Sequence, residues 1–284
     1  MGLEHTLGPE EARLLIEQIR RQYGDDFSGV PVGVFSRRLG RVMDLMGVRD
    51  PEDFARSLGC CRPDFYSRML DMLVPRTTEM FRDPMFWRTL REQVAGYLVP
   101  RYGARLRVWV AAHDSGEELY SLLILLHEMG LLEGATIYGS YLGDRAQERI
   151  LRGELRGGKV EVDAANYERS QGASSLDAYV ESRADGHRAL DGKLLAGVSL
   201  LRSSVQLPGW SGREPLHLVL CRNQFLYWNL TYAQRNMLVL SRALVDGGLL
   251  ALGIRERLDH LQPGGLFEPW NANEGIYRFE GGLG

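Results

Sequence analysis

Residues 106–121, LRVWVAAHDSGEELYS, set the terms for the rest of the chain. The first half alternates large apolar and charged residues and then turns wholly apolar, as a central strand does on entering a core. His113, Asp114, Ser115 and Gly116 make a turn, and from Glu117 an apolar periodicity of helical spacing runs to about Met129. A strand, a tight Gly-containing turn and a helix form the opening unit of a doubly wound α/β sheet, where small ligands bind at the carboxyl ends of the strands. Glu117 and Glu118 stand at the helix start, where the positive end of the helix dipole favours them. Such acids suit a ligand that presents an ammonium or hydroxyl groups. Phosphate cradles use glycine-rich loops such as G-x-G-x-x-G, and this turn has a single glycine. The expected ligand is therefore nucleoside-like, without a phosphate chain.

Upstream of this unit, residues 8–100 read as helical. Pro9-Glu10-Glu11 opens a helix whose apolar face is Ala12, Leu15, Ile16 and Ile19, and a turn-rich break follows from Tyr23 to Pro31. A second helix, residues 35–46, carries Leu39, Val42, Met43 and Met46 on one face and Arg37, Arg38 and Arg41 on another. Gly47 ends it, Asp50-Pro51-Glu52 starts the next, and further helices fall at about 64–73 and 84–97. Downstream, strands are expected at 136–142, 198–205, 216–220 and 249–253, with a last edge strand at 275–279. Helices are expected at 144–151 and 231–245. Residues 154–197, rich in Gly, Ser, Asp and Ala, lose the alternation and read as an insertion with weak structure of its own.

Composition narrows the class. With 44% hydrophobic and 25% charged residues the chain is an ordinary globular one, and a net charge of -3 argues against a general nucleic-acid binder. No apolar run reaches the ~18 residues of a membrane span, and MGLEHTLGPEE lacks the apolar stretch of a signal peptide. Met1-Gly2 with Thr6 fits an unspecific myristoylation pattern, but no polybasic run follows to reinforce it. Cys60, Cys61 and Cys221 suggest neither a disulfide framework nor a zinc site. The expectation is a cytoplasmic protein, a monomer without metal.

Ser115-Gly116-Glu117-Glu118-Leu119-Tyr120-Ser121 after an apolar strand resembles the first motif of the CheR-type chemoreceptor glutamate O-methyltransferases. Thr78-Glu79-Met80-Phe81-Arg82-Asp83 upstream and the run Leu220-Cys221-Arg222-Asn223-Gln224-Phe225-Leu226-Tyr227 downstream agree with it in order and spacing. The similarity extends from roughly residue 10 to 280. It implies an α/β fold: a Rossmann-like S-adenosylmethionine-dependent methyltransferase sheet over residues 101–284, a small subdomain inserted at about 154–197, and an N-terminal all-helical domain over 1–100 that meets the chemoreceptor or other signalling protein. That last role gives the Arg37, Arg38 and Arg41 face, otherwise readable as a plain solvated one, a second reading as a docking surface for acidic helices.

The resemblance also assigns residues. Thr78 and Arg82 match positions that contact S-adenosylmethionine, and Arg82 can also orient a substrate carboxylate through its planar fork. Glu118 meets the ammonium of the methionine moiety or lines the pocket beside it. Arg222 and Asn223 end a strand at the cleft, where polar groups have no packing purpose, and Tyr227 matches a tyrosine close to the transferred methyl. Methyl transfer to a carboxylate needs no dedicated general base, because the donor is already activated and an ionised glutamate is a competent nucleophile.

The departures fall on the nucleoside half. The family's Ala-Thr-Asp after the second strand reads Gly139-Ser140-Tyr141, so Tyr141 stands where an acid accepts hydrogen bonds from the ribose hydroxyls. The Asn-Leu pair near the adenine reads Gln206-Leu207, the turn reads Asp114-Ser115-Gly116, and Leu216-His217 replaces Phe-Asp. Asp144 is the nearest other acid, although the first turn of a helix explains it equally well. Losing a bidentate acid weakens ligand binding by roughly one or two orders of magnitude. Two expectations stay open: a protein-glutamate methyltransferase with an altered cofactor pocket, or a family-derived pseudoenzyme that acts by binding a signalling partner.

Overall fold

The computed structural model describes residues 7–60, 63–73, 79–111, 116–155, 159–183, 187–203, 207, 210, 212–258, 261 and 265–281. The first part is helical: α1 (Pro9–Tyr23), α2 (Val32–Met46), α3 (Pro51–Gly59), α4 (Pro63–Leu73), α5 (Pro84–Gln93), a π-helical turn (Val94–Leu98) and α6 (Val99–Tyr102). Local chemistry explains the boundaries. At the head of α1 the Glu11 carboxylate accepts the Gly8 N–H at 2.7 Å, and Asp50 caps α3 by accepting from Glu52 N–H. Gly24 and Gly47 close α1 and α2 in the left-handed conformation that glycine adopts at least cost.

After α6 come β1 (Arg107–Val110), α7 (Glu117–Glu128), β2 (Thr136–Tyr141), α8 (Asp144–Leu151), β3 (Glu154–Leu155), α9 (Val160–Arg169), β4 (Val180–Ser182), β5 (Arg188–Leu190), α10 (Gly192–Leu195), β6 (Val198–Arg202), β7 (Leu216–Leu220), α11 (Leu230–Ala243), β8 (Leu244–Ala251), β9 (Phe267–Asn271) and β10 (Ile276–Phe279). Seven strands form one sheet in the order β6-β2-β1-β7-β8-β10-β9. From β6 to β8 the pairing is parallel, and β10 joins antiparallel to both β8 and β9. The mostly parallel sheet flanked by helices agrees with the expected fold, with β1 in its interior. None of the helices described is long and apolar enough to cross a membrane.

Three details differ from the sequence reading. The strand expected at the edge, 275–279, lies as β10 between β8 and β9, and β9 takes the edge. Residues 154–197 hold their own antiparallel sheet, in the order β3-β5-β4, and the helix α9. Strands of two or three residues are too short to leave an alternation in the sequence. Strand β8 also begins earlier than expected, at Leu244, and takes up Asp246-Gly247-Gly248 as a bulge: Gly247 has φ of 75°, and the register jumps from Leu244 opposite Leu216 to Leu249 opposite Leu218.

The strands alternate between two cores. On β1, Val108 and Val110 point into one apolar cluster, with α5, α7 and the insertion, while Trp109 and Ala111 point into the other. This second cluster takes in α1 to α4 and α11 as well as the sheet face. One contact fixes the join. A Cβ on Gly29 would lie 2.1 Å from the Tyr232 ring of α11, so only glycine lets the α1–α2 connection lie flat there. Asn229 N–H donates to the Gly29 carbonyl at 2.7 Å and the Tyr232 hydroxyl to the Asp26 carbonyl at 3.1 Å.

Candidate active site at the carboxyl ends of the strands

Strand β1 delivers the chain to Gly116, whose φ of 109° admits glycine best, and α7 begins at once. Glu117 and Glu118 are buried there, Glu118 at 8% exposure, so both carboxylates sit at the positive end of α7 inside the protein. Asp114, which precedes them in the sequence, lies outside the described residues, as do Thr78 and Gln206.

The segment Met80–Phe81–Arg82–Asp83 crosses this helix start in a tense conformation, with φ of 50° at Phe81 and 58° at Asp83. Backbone of this kind persists only when its surroundings over-determine it, and here they do. Asp163 accepts the Met80 N–H at 2.9 Å and Asn166 Nδ2 donates to the Met80 carbonyl at 3.2 Å, both from α9. Ser121 Oγ of α7 accepts the Phe81 N–H at 2.8 Å. From β7, Arg222 donates Nη1 to the Arg82 carbonyl at 3.3 Å and Nη2 to Asp83 Oδ2 at 2.7 Å. Arg82 is thereby presented from a turn gripped by three elements. Burial lifts the Asp163 pKa to about 6, with Glu117 and Glu79 adding to the rise and the Met80 N–H and Arg188 opposing it.

Arg222 corrects one expectation. It is 1% exposed, its guanidinium carbon lies 3.8 Å from the centre of the Phe86 ring, and its hydrogen bonds go to Arg82 and Asp83. A polar group at the end of β7 thus has a packing purpose after all: it welds the strand to the Arg82 turn. Glu118 and Arg222 lie on the same side of the sheet, since Leu218 and Leu220, two and four residues before Arg222, share the α7-side cluster.

Beyond Arg222 the chain turns through Asn223, at φ 58°, into the short 3-10 turn Phe225–Tyr227. Glu256, buried in the loop after β8, organises this turn. Its carboxylate accepts backbone N–H groups of Gly253 at 2.6 Å, Asn223 at 2.8 Å and Leu226 at 3.3 Å. Burial pushes its pKa up, and these donors with the Phe225 N–H pull against that. One side chain so joins the loops after β7 and β8.

Tyr227 is half-buried, and the guanidinium of Arg38 lies over its ring, 4.6 Å from the centroid. This corrects the reading of Arg37, Arg38 and Arg41 as one exposed face. Arg37 and Arg41 are exposed, but Arg38 leans inward and is half-buried.

Of the positions that the resemblance gives to the nucleoside, Tyr141 and Leu207 are described, and both are buried. Tyr141 ends β2 at 8% exposure with its side chain in the α7-side cluster, and its carbonyl accepts the Ser203 N–H at 2.9 Å. Leu207 is buried in the opposite cluster and its N–H donates to Asn236 Oδ1 at 3.1 Å. Asp144 is exposed and borders a cavity of about 480 Å³ between α4 and α8, lined among others by the ion pair Arg149–Asp71. The structure therefore ties the Arg82 turn to Arg222, places Glu118 on the same side of the sheet at the head of α7, and sets Tyr227 on the loop that follows. Sequence reasoning missed Asp83, Asp163 and Glu256. Asp83 stood inside a quoted motif and Glu256 is an acid just past an apolar strand, but their partners are remote in sequence.

A family model described as CheR methyltransferase, SAM binding domain, matches residues 76–272. The chain is 30% identical to Cher3 of Pseudomonas putida over 271 residues, which cover 94% of this chain and 96% of that protein. Chemotaxis protein methyltransferase 1 of Pseudomonas aeruginosa is 25% identical over 233 residues, 80% of this chain and 82% of its own. Chemotaxis protein methyltransferase Cher2 of Pseudomonas putida is 25% identical over 234 residues, with the same coverage of 80% and 82%.

Proposed function

Given that the chain belongs to the CheR methyltransferase family, we propose that it methylates glutamate side chains of a chemoreceptor or related signalling protein, with S-adenosylmethionine as donor. The observation that supports this reading is the convergence at the strand ends: a buried acid at the head of α7, an arginine on a clamped turn beside it, and a tyrosine on the loop after β7.

The donor set fits the methionine end of the cofactor. Glu118, buried at the carboxyl end of β1, has the charge to meet an ammonium. The cofactor supplies an activated sulfonium methyl. The chain does the rest by positioning: Arg82 turns its planar fork to the acceptor carboxylate, Tyr227 borders the reacting atoms, and Asn223 shapes the loop between them. Thr78 belongs to the same set by its motif. Gln206 and Leu207 take the adenine side and Arg222 holds the Arg82 turn. Helices up to about residue 100 serve as the docking part, with Arg37 and Arg41 exposed toward an acidic partner, and the insertion at 154–197 stands beside the cleft. The protein works in the cytoplasm as a monomer.

The burial of Tyr141 favours a second reading, a relative that has given up the cofactor and acts through its partner. Calorimetric titration with S-adenosylhomocysteine, carried to millimolar ligand, separates the two. Binding followed by transfer of labelled methyl to a receptor glutamate supports the enzyme. Absence of binding at millimolar ligand overturns it.

A further inference from the structure

The inserted segment 154–197 reaches the strand ends through one stripe of its helix. On α9, Asp163 accepts the Met80 N–H at 2.9 Å and Asn166 donates to the Met80 carbonyl at 3.2 Å. Tyr167 sets its ring against that of Phe81, with centroids 5.1 Å apart, and Lys159, at the head of the helix, pairs with Glu79 at 3.1 Å. These contacts fall on residues 79–81, immediately ahead of Arg82.

The two polar side chains that hold Met80 differ in what they cost the fold. Asn166 is neutral. Asp163 is 4% exposed, and its carboxylate is faced by Glu117 of α7 and by Glu79, with Arg188 of β5 as the opposing cation. Arg188 is itself shared with Asp177 at 2.7 Å. An amide at position 163 would offer Met80 an acceptor without that repulsion, so stability alone does not call for a carboxylate here. What the charge adds is grip, because a hydrogen bond to an ionised acceptor is roughly twice as strong as a neutral one. The grip falls next to backbone that resists it, since Phe81 and Asp83 both have positive φ.

We infer that Asp163 is a positioning residue for methyl transfer: its carboxylate holds the Met80 N–H and thereby sets where Arg82, two residues on, presents its guanidinium. The inserted segment then contributes to the geometry of the reaction itself. This rests on the proposed function for the reaction that Arg82 serves. Because burial and the neighbouring acids lift Asp163 to about 6, the hold is full above that pH and weakens below it.

Nuclear magnetic resonance of the full chain, without cofactor, reads the clamp directly. The Met80 and Arg82 amide signals should titrate together with a midpoint near pH 6, and Asp163→Asn should abolish both titrations. Labelled methyl transfer to receptor glutamates should fall about ten-fold from pH 7.5 to pH 5 in the unmodified protein. Asp163→Asn should be slower by about ten-fold at pH 7.5 with a flat profile across that range, the scale of trading a charged acceptor for a neutral one. Its thermal midpoint at pH 7.5 should be unchanged or higher, because the repulsion from Glu117 and Glu79 is gone. An Arg82 signal that stays fixed while Met80 titrates overturns the inference. So does an Asp163→Asn protein with the unmodified rate and profile, or one whose loss of rate is matched by a fall in midpoint. A protein that transfers no methyl yet shows the joint titration overturns the catalytic reading and supports the clamp.

Discussion

Arg38 of α2 and Tyr227 of the loop after β7 meet face to ring, with the guanidinium carbon 4.6 Å from the ring centroid. A helix from the first part of the chain thus reaches the residue assigned to the methyl. Contacts of this kind contribute roughly 1 kcal/mol when partly desolvated. Burial lowers the Arg38 pKa and Tyr227 partly restores it, so the charge is kept in place by its aromatic neighbour. Arg38→Leu should cut methyl transfer by about ten-fold through a misplaced phenol, the equivalent of ~1.4 kcal/mol. Affinity for S-adenosylhomocysteine should not change. Parallel rate and calorimetric measurements check the split, and an equal loss in both would mean that Arg38 serves the cofactor.

Arg222→Leu should destabilise the protein by about 2–4 kcal/mol, because it strands Asp83 and the Arg82 carbonyl beside a buried apolar side chain. Arg222→Lys keeps the charge but cannot span both acceptors, so most of the loss should persist. Urea unfolding measures both. A loss under ~0.5 kcal/mol for either variant would show that the turn is held by α7 and α9 alone.

For Glu256→Gln, the amide group would point a donor at backbone N–H groups that now share a carboxylate. The expected cost is about 2–3 kcal/mol. A second readout separates shape from stability: the loops after β7 and β8 should loosen, so faster amide exchange is expected at Asn223 and Leu226 while β1 stays protected.

The α/β frame was legible because β1, α7 and β7 are long apolar runs bounded by turn residues. Strand β9 was not, since Glu268, Pro269 and Asn271 give it the composition of a loop, and it exists because β10 offers an edge to pair with. Of the site, Arg82, Glu118 and Tyr227 could be named from motifs alone. What held them could not. The partner of Arg222 lies 139 positions away and two of the donors to Glu256, Asn223 and Leu226, lie 33 and 30 away, and one sequence carries no trace of such pairings. Arg38 was misread for a related reason: helical spacing says which residues share a face but not what covers it.

His217 gives a pH dependence with a definite sign. It is buried at the start of β7, its Nδ1 accepts the Arg107 N–H at 3.0 Å, and burial with Arg107 nearby lowers its pKa from 6.5 to about 4. Between those values the unfolded chain takes up a proton that the folded protein refuses. Stability should therefore fall as pH drops from 6.5 toward 4, with no further change from this group below that. His217→Gln, which retains an acceptor, should be less acid-sensitive than the unmodified protein in urea unfolding at pH 7 and pH 5. Identical slopes would assign the acid sensitivity to other groups.

Tyr141→Asp places an acid where the resemblance expects one, in a site now filled by a buried phenol. Affinity for S-adenosylhomocysteine should rise by about ten-fold or more, as one recovered hydrogen-bonded acceptor allows. The melting temperature should drop, because the same substitution removes an aromatic from the α7-side cluster. Calorimetry and thermal unfolding read the two effects separately. Unchanged affinity would mean that Tyr141 does not stand in the way of the ribose.

The apolar cluster that runs from α1–α4 into the sheet face has a bearing on inheritance. Trp109, Ala111 and Cys221 of the sheet are covered by the same continuous interior that holds Phe35, Leu39 and Phe54. Helices rooted so deeply cannot be exchanged between relatives as a detachable module. A graft would have to carry Tyr232 to receive Gly29, and the sheet-face residues besides. On the docking role proposed for these helices, new partner preferences are therefore expected to arise by point substitution on the outer stripe of α2, with the inner stripe left alone.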